Sequence, residues 1–199
     1  MLVTAVLIAS AAWCGVAVVR ADRRSPRHQA WRDPISWFAS DEAPHAERLR
    51  GGLLAVAASL VALGLIGVAR RRPPVAVITT LIAGGLIAGV AWAPLDCSVR
   101  LDYCEKFVDA GLASDAHRVH VALSAALVVL AVVSTVLAAR RQRSAVSVAV
   151  VGVVLIASVA MFVVPTSEVL GTFQVVALAG GAWATVRLWR AAPTLVSPP

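Results

Sequence analysis

Acidic residues are missing from one set of the chain's turns. All eleven Asp and Glu residues fall in three segments, 20–50, 95–118 and 165–168. The Arg-rich turns between the other apolar stretches contain none. Charged residues are scarce throughout, at 15% of 199 residues, while hydrophobic residues make up 59%. A soluble domain of this length needs more polar surface, so the composition predicts an integral membrane protein.

Recognisable catalytic and nucleotide-binding motifs are also missing. The chain contains no phosphate-binding loop, nucleophile elbow, HExxH, CxxCH or Walker pattern. Its net charge of +7 comes from arginines at the ends of apolar stretches, without interleaved aromatic residues, so no nucleic-acid partner is predicted. Membrane lipids and other membrane proteins are the expected partners.

Six apolar stretches are long enough to cross a bilayer. A helix needs about 20 apolar residues to cross the hydrocarbon layer. The stretches cover approximately residues 2–19, 51–69, 75–93, 119–139, 145–164 and 169–189. Gln174 and the pair Gly180-Gly181 make the last one the weakest. The sequence therefore predicts an all-α, polytopic membrane protein with one six-helix domain over residues 1–190 and a tail at 191–199.

The arginines give the predicted orientation. They gather in short turns or at a span end: Arg70, Arg71, Arg72, Arg140, Arg141, Arg143, Arg187 and Arg190. The long first loop also carries seven arginines, but short loops next to span ends carry more of the positive-inside signal. We therefore expect both termini in the cytoplasm of a multi-pass protein of the inner (plasma) membrane. Residues 20–50 and 95–118 are then extracytoplasmic loops, and 191–199 is a cytoplasmic tail.

The two long outer loops differ in content. Residues 20–50 include Asp33-Pro34-Ile35-Ser36-Trp37-Phe38. Proline suits a first helical turn and tryptophan suits the headgroup level, so this segment predicts a short interfacial helix. Residues 95–118 include Cys97 and Cys104, seven positions apart. An oxidising compartment favours a disulfide between them, and two free thiols are the alternative.

A weak internal repeat links two pairs of spans. A shift of 70 residues aligns Arg70-Arg71 with Arg140-Arg141, and a shift of 69 aligns residues 86–91 with 155–160. The match predicts that the second and third spans, and the fourth and fifth, are two copies of one helical hairpin. Chance similarity in a chain rich in Ala, Val and Leu is the alternative.

The sharpest polar cluster lies where the fourth span begins. Ser114 or Asp115 can cap this helix, and His117 and His120 share one of its faces. Ser124 continues that face one turn deeper, and Asp96 at the end of the third span can reach the same level. Two His and a carboxylate suit zinc or iron, or a proton relay. Imidazoles bonded to loop carbonyls are the simpler alternative, and no cofactor is predicted.

Two further groups of polar residues border predicted spans. Arg48 and Arg50 begin the second span, where they either extend toward headgroups or clamp a lipid phosphate or a carboxylate. Glu168 and Gln174 flank the start of the sixth span. An unpartnered amide inside an apolar span is costly, so we expect Gln174 to face another helix rather than lipid.

The order of these features resembles the DUF998 family of six-helix bacterial and archaeal integral membrane proteins, over roughly residues 30–190. The resemblance rests on Pro34-Ile35-Ser36, Pro94-Leu95-Asp96-Cys97, Cys104, His117, His120, Gly171 and Gln174. It implies an apolar-Pro-x-Asp at the end of the third helix, a His opening the fourth, and Gly-x-x-Gln-Arg in the sixth. Val175 replaces that arginine, so an anion site built on it is not carried over. The family brings no established activity, and the composition resembles that of high-GC actinobacterial proteins.

Three classes of function stay open. The first is a protein that binds a lipid or small amphiphile in an outer pocket, or an accessory subunit of an envelope complex. The second is a metal-dependent intramembrane hydrolase with His117, His120 and Asp96 as ligands. The third is a small-molecule transporter. Because no catalytic motif is present and no ionisable residue lies near mid-membrane in the second to fifth spans, a binding or accessory role is favoured over an enzyme or a transporter.

Overall fold

A computed structural model describes residues 46–97, 102–163 and 170–190, together with positions 12–13, 15–16, 18–19, 37, 40 and 43. The regular elements in these residues are all helices: α1 (Ala46–Ala69), α2 (Pro74–Trp92), α3 (Asp102–Asp109), α4 (Asp115–Gln142), α5 (Ala145–Val163) and α6 (Leu170–Arg190). The predicted all-α class is confirmed for this part of the chain.

Among the described residues, three helices are long and apolar enough to cross a membrane, namely α1, α2 and α4. They coincide with the second, third and fourth predicted spans, and α5 is a shorter apolar helix over Ala145–Met161. The predicted number of six spans therefore stays a prediction. The interfacial segment 33–38, apart from Trp37, lies outside the described residues, as do most of the first span, Glu168 and the tail 191–199.

The helix ends follow from local chemistry. Pro74 is the first residue of α2. The N–H that proline lacks would have no partner within the helix at this position, so no hydrogen bond is lost. Ser114 is the N-cap of α4, since its side chain accepts a hydrogen bond from the backbone N–H of His117, as one of the two predicted caps. Arg143 ends α4 in the left-handed region at φ 48°, and its N–H returns to the carbonyl of Ala139.

The helices pack around α4. Helices α1 and α2 form a hairpin and pack on each other. Helix α4 contacts α2, α5 and α6. At the Arg-rich end, Ala76, Ala138, Ala184 and Leu188 form a fully buried cluster. Beside it the indole N–H of Trp189 donates to Thr80 Oγ1 at 3.0 Å, which joins α6 to α2. Hairpins α1–α2 and α4–α5 both exist, but the repeat relating them stays a prediction.

Large apolar side chains are exposed on the outside of the bundle. Leu65 is 58% exposed, Val129 57% and Ile156 70%. A soluble protein leaves few such side chains uncovered over contiguous helix faces, whereas lipid tails cover them at no cost. The exposure therefore agrees with helices that lie in a membrane.

Adjacent glycines in α2 show how closely the α1–α2 hairpin packs. A Cβ on Gly84 would lie 2.8 Å from Val61 Cγ2, 3.0 Å from the carbonyl oxygen of Ala57 and 3.2 Å from the backbone nitrogen of Val61. A Cβ on Gly85 would meet nothing within 4 Å. The absence of a side chain at Gly84 thus lets two helix backbones approach each other.

We expect Gly84→Ala to lower the free energy of unfolding by about 1–3 kcal/mol, because two of its three close contacts are backbone atoms that cannot swing away. Gly85→Ala is the matched control, and we expect it to be neutral or stabilising by about 0.5–1 kcal/mol. Denaturation of both variants in detergent micelles measures the difference. Equal stability of the two would show that the hairpin is looser than described.

Candidate functional site

A disulfide closes the loop that follows α2. Cys97 and Cys104 are bonded, with their Cα atoms 5.6 Å apart, and both side chains are buried. The predicted pairing is therefore confirmed. It ties the end of α2 to α3 and leaves the segment that leads into α4 close to Asp96.

Asp96 holds the start of α4. Its Oδ2 accepts a hydrogen bond from the backbone N–H of Ser114 at 2.7 Å. Its Oδ1 accepts from the Ser114 hydroxyl at 2.9 Å. The Ser114 oxygen in turn accepts from the His117 backbone N–H at 3.1 Å. Both carboxylate oxygens and the helix cap thus form one connected network, in which each charge-assisted bond is stronger than a neutral one.

His117 accepts a hydrogen bond rather than forming an ion pair. Its Nδ1 lies 3.2 Å from the backbone nitrogen of Asp96, which donates to it. The same Nδ1 lies 4.0 Å from Asp96 Oδ2, which counts as an ion pair only if the imidazole is protonated. The backbone N–H occupies the Nδ1 lone pair, so the shorter contact decides: His117 is neutral, with its proton on Nε2.

His120 binds the end of α2. Its Nδ1 is hydrogen-bonded to the carbonyl oxygen of Ala93, and because a carbonyl only accepts, Nδ1 carries the proton. Ala93 follows the last residue of α2, where carbonyls have no partner within the helix. The His120 side chain is only 1% exposed, and its Nε2 has no hydrogen-bond partner among the described residues.

Five residues therefore join α2 to α4: Ala93, Asp96, Ser114, His117 and His120. We call this set the α2–α4 clasp. Sequence reasoning placed Asp96 at the level of His117 and His120, and it named Ser114 or Asp115 as the cap. It did not identify Ala93 as the residue whose carbonyl binds His120, and it missed the two bonds from Ser114 to Asp96. The position of Ala93 at the end of a predicted span could have indicated this bond, because the last carbonyls of a helix have no donor within the helix.

The clasp uses most of the atoms that a metal ion would need. Both Asp96 oxygens are bonded to Ser114, and one nitrogen of each imidazole is bonded to the backbone. Among residues 46–97, 102–163 and 170–190, no group of three His, Cys, Asp or Glu side chains could hold a metal ion. The carbonyl-bonded imidazole, the simpler alternative, describes His120, and a zinc or iron site stays a prediction.

The other predicted residues lie around the clasp or away from it. Arg50 is half-buried on α1 and has an interaction partner. Arg48 is exposed, and its carbonyl accepts from the indole N–H of Trp13 at 3.3 Å. Ser124 is half-buried on α4. Gln174 is half-buried on α6 and has an interaction partner. Glu168 lies outside the described residues.

Comparisons with known proteins give one match. Searches of curated proteins and of solved structures find nothing that matches the chain. The family model described as "Protein of unknown function (DUF998)" matches residues 5–190. That match covers nearly all of the chain and includes every residue of the α2–α4 clasp. The chain therefore belongs to the DUF998 family.

Proposed function

We propose that this protein is an integral membrane protein that binds a lipid or small amphiphile at the extracytoplasmic end of its bundle, beside the α2–α4 clasp. One observation carries the proposal: the buried imidazole of His120 is hydrogen-bonded through Nδ1, and its Nε2 has no partner in the part of the chain that the structure describes. A buried polar atom without a partner costs about 1–3 kcal/mol. A bound ligand that donates to His120 Nε2 removes that cost.

The arginines support the proposed orientation. Arg70, Arg71 and Arg72 follow α1, and others end α4 and α6, at the end of the bundle away from the clasp. The Arg187 guanidinium lies 5.5 Å from the centre of the Trp183 ring, so this cation–π contact holds the arginine at the Arg-rich end of the bundle. With these arginines on the cytoplasmic side of the inner membrane, the clasp and the disulfide lie on the extracytoplasmic side.

Binding accounts for the geometry better than catalysis or transport. The carboxylate of Asp96 serves as a structural acceptor, and no described contact joins an imidazole to a nucleophilic side chain. No ionisable side chain occurs in the apolar stretches 51–69, 75–92, 121–139 and 145–163. Ion-coupled transporters place such groups near mid-membrane. An accessory subunit is the remaining alternative, and it needs no bound ligand.

The binding function predicts that the protein carries an amphiphile through gentle purification. We expect mass spectrometry of the detergent-solubilised protein to find a stoichiometric lipid, and His120→Ala to lose most of it. Thr135→Val is the control, because Thr135 is a buried polar residue of the same helix whose hydroxyl bonds to its own helix at Ala131. A wild-type protein free of amphiphile, or equal retention by His120→Ala, would refute the binding function and favour an accessory role.

The orientation predicts which thiols are accessible from outside. In a chain carrying Cys14→Ala, we expect Arg71→Cys to react with a membrane-impermeant thiol reagent only after the cells are permeabilised. Leu112→Cys serves as the control: Leu112 is 64% exposed between α3 and α4, so it is expected to react in intact cells. Rapid labelling of Arg71→Cys in intact cells would reverse the assignment.

A further inference from the structure

Two arginines at the Arg-rich end of the bundle occupy backbone positions that suit glycine. Arg71 lies just after α1 with φ 50°, and Arg143 follows α4 with φ 48°. They are the two non-glycine residues with positive φ in the part of the chain that the structure describes. We propose that this end of the bundle binds the phosphate headgroups of anionic lipids, with Arg71 and Arg143 as phosphate-binding residues. This surface lies at the opposite end from the ligand site at the clasp and does not depend on it.

The backbone of these arginines makes both turns without help from the side chains. The N–H of Arg71 donates to the carbonyl of Val68 at 3.0 Å, and the N–H of Arg143 donates to the carbonyl of Ala139 at 2.8 Å. Both side chains are exposed. A left-handed backbone is unfavourable for any residue that carries a Cβ, and glycine adopts it readily. The turns alone therefore do not account for arginine at these two positions.

The buried cluster at this end brings the two turns to the same level of the bundle. Ala76 and Ala138 both belong to that cluster, together with Leu188 of α6. Arg71 lies five positions before Ala76, and Arg143 lies five positions after Ala138. The other arginines of this end are next to these turns in sequence or near the end of α6: Arg70, Arg72, Arg140, Arg141, Arg187 and Arg190. The positive charges of three chain segments are thus collected on one face of the bundle.

Carboxylate side chains on these helices do not reach the arginines. No Asp or Glu occurs in residues 48–95 or 116–167. Glu47 and Asp115 lie at the opposite ends of α1 and α4, about 35–40 Å away at a rise of about 1.5 Å per residue. That distance is several times the screening length of about 8 Å in physiological salt. The arginines therefore attract anionic groups from outside the protein.

The apolar surface next to the arginines selects a lipid headgroup over a soluble anion. Val68, three positions before Arg71, is 58% exposed, and Val146, three positions after Arg143, is 64% exposed. Lipid tails cover exposed apolar side chains on membrane helices. Because three positions span less than one helical turn, the guanidinium groups lie next to the hydrocarbon layer, at the level of the lipid phosphates. Arginine binds a phosphate through two parallel hydrogen bonds, which suits an anionic headgroup.

The test measures the melting temperature of the full-length protein in a neutral detergent, with and without added lipid. Arg71→Gly/Arg143→Gly removes both guanidinium groups and keeps the backbone that the turns require. In detergent alone, we expect this variant to melt at least as high as the wild type, because glycine tolerates positive φ. Phosphatidylglycerol is expected to raise the melting temperature of the wild type by about 4–8 °C more than that of the variant. Zwitterionic phosphatidylcholine is expected to raise both equally.

Two variants and one ion serve as controls. Arg71→Lys/Arg143→Lys keeps both charges, so we expect it to keep most of the gain from phosphatidylglycerol. Arg118→Ala removes an exposed arginine at the other end of α4, where Arg118 Nη1 lies 3.8 Å from Asp115 Oδ1, and it is expected to keep the full gain. Inorganic phosphate in place of the lipid is expected to give no comparable gain, because it does not concentrate at the apolar surface.

Four results would overturn the inference. Equal gains of the wild type and the glycine variant from phosphatidylglycerol would show that the two arginines do not bind the headgroup. A glycine variant that melts below the wild type in detergent alone would show that the guanidinium groups hold the turns themselves. An equal gain from inorganic phosphate would make the site one for a free ion. A loss in Arg118→Ala as large as that in the glycine variant would show an effect of total charge. The clasp ligand is tested separately through His120→Ala, so either proposal can fail without the other.

Discussion

The carbonyl groups at the end of α2 set the constraint on which the outer end of the bundle depends. A helix leaves its last carbonyls without partners inside the helix, and a carbonyl that is buried in the bundle cannot bond to water instead. His120 Nδ1 donates a hydrogen bond to the carbonyl of Ala93. Three residues further on, the Asp96 carboxylate accepts from the backbone N–H and the hydroxyl of Ser114. The end of one helix and the start of another thus satisfy each other, and α2 and α4 are held in one arrangement.

The two ends of the bundle use different physics. At the Arg-rich end, three alanines and Leu188 form a buried apolar cluster, and beside it the Trp189 indole donates to Thr80 Oγ1. At the clasp end, the imidazoles of His117 and His120 are buried, and an acceptor without a partner is expensive in such a place. That difference explains why the unpartnered nitrogen of His120 is informative, whereas exposed arginines need no ligand to be stable. It also fits the proposal that recognition occurs at the clasp and anchoring at the arginines.

Much of the fold was predictable from hydrophobic runs and Arg-rich turns, because the bilayer fixes both the length of a span and the side on which arginine accumulates. The Cys97–Cys104 pairing was predictable from the expected oxidising compartment, and the contact of Asp96 with His117 from their places at the facing ends of two spans. The hydrogen-bonding role of each imidazole nitrogen was not predictable from the sequence. Whether an imidazole donates, accepts or binds a metal depends on carbonyl positions such as that of Ala93, which a residue pattern does not contain. Contacts across the bundle, such as Trp189 with Thr80, depend on helix rotations that weakly amphipathic helices leave open.

The clasp requires opposite tautomers of two imidazoles three residues apart. Nitrogen-15 NMR of the protein labelled at its four histidines reports the protonation of each ring nitrogen, with signals assigned through His117→Ala and His120→Ala. At a pH where both rings are neutral, the account predicts that His117 carries its proton on Nε2 and His120 carries its proton on Nδ1. A spectrum in which both rings carry the proton on Nε2 would contradict the clasp and the binding site built on it.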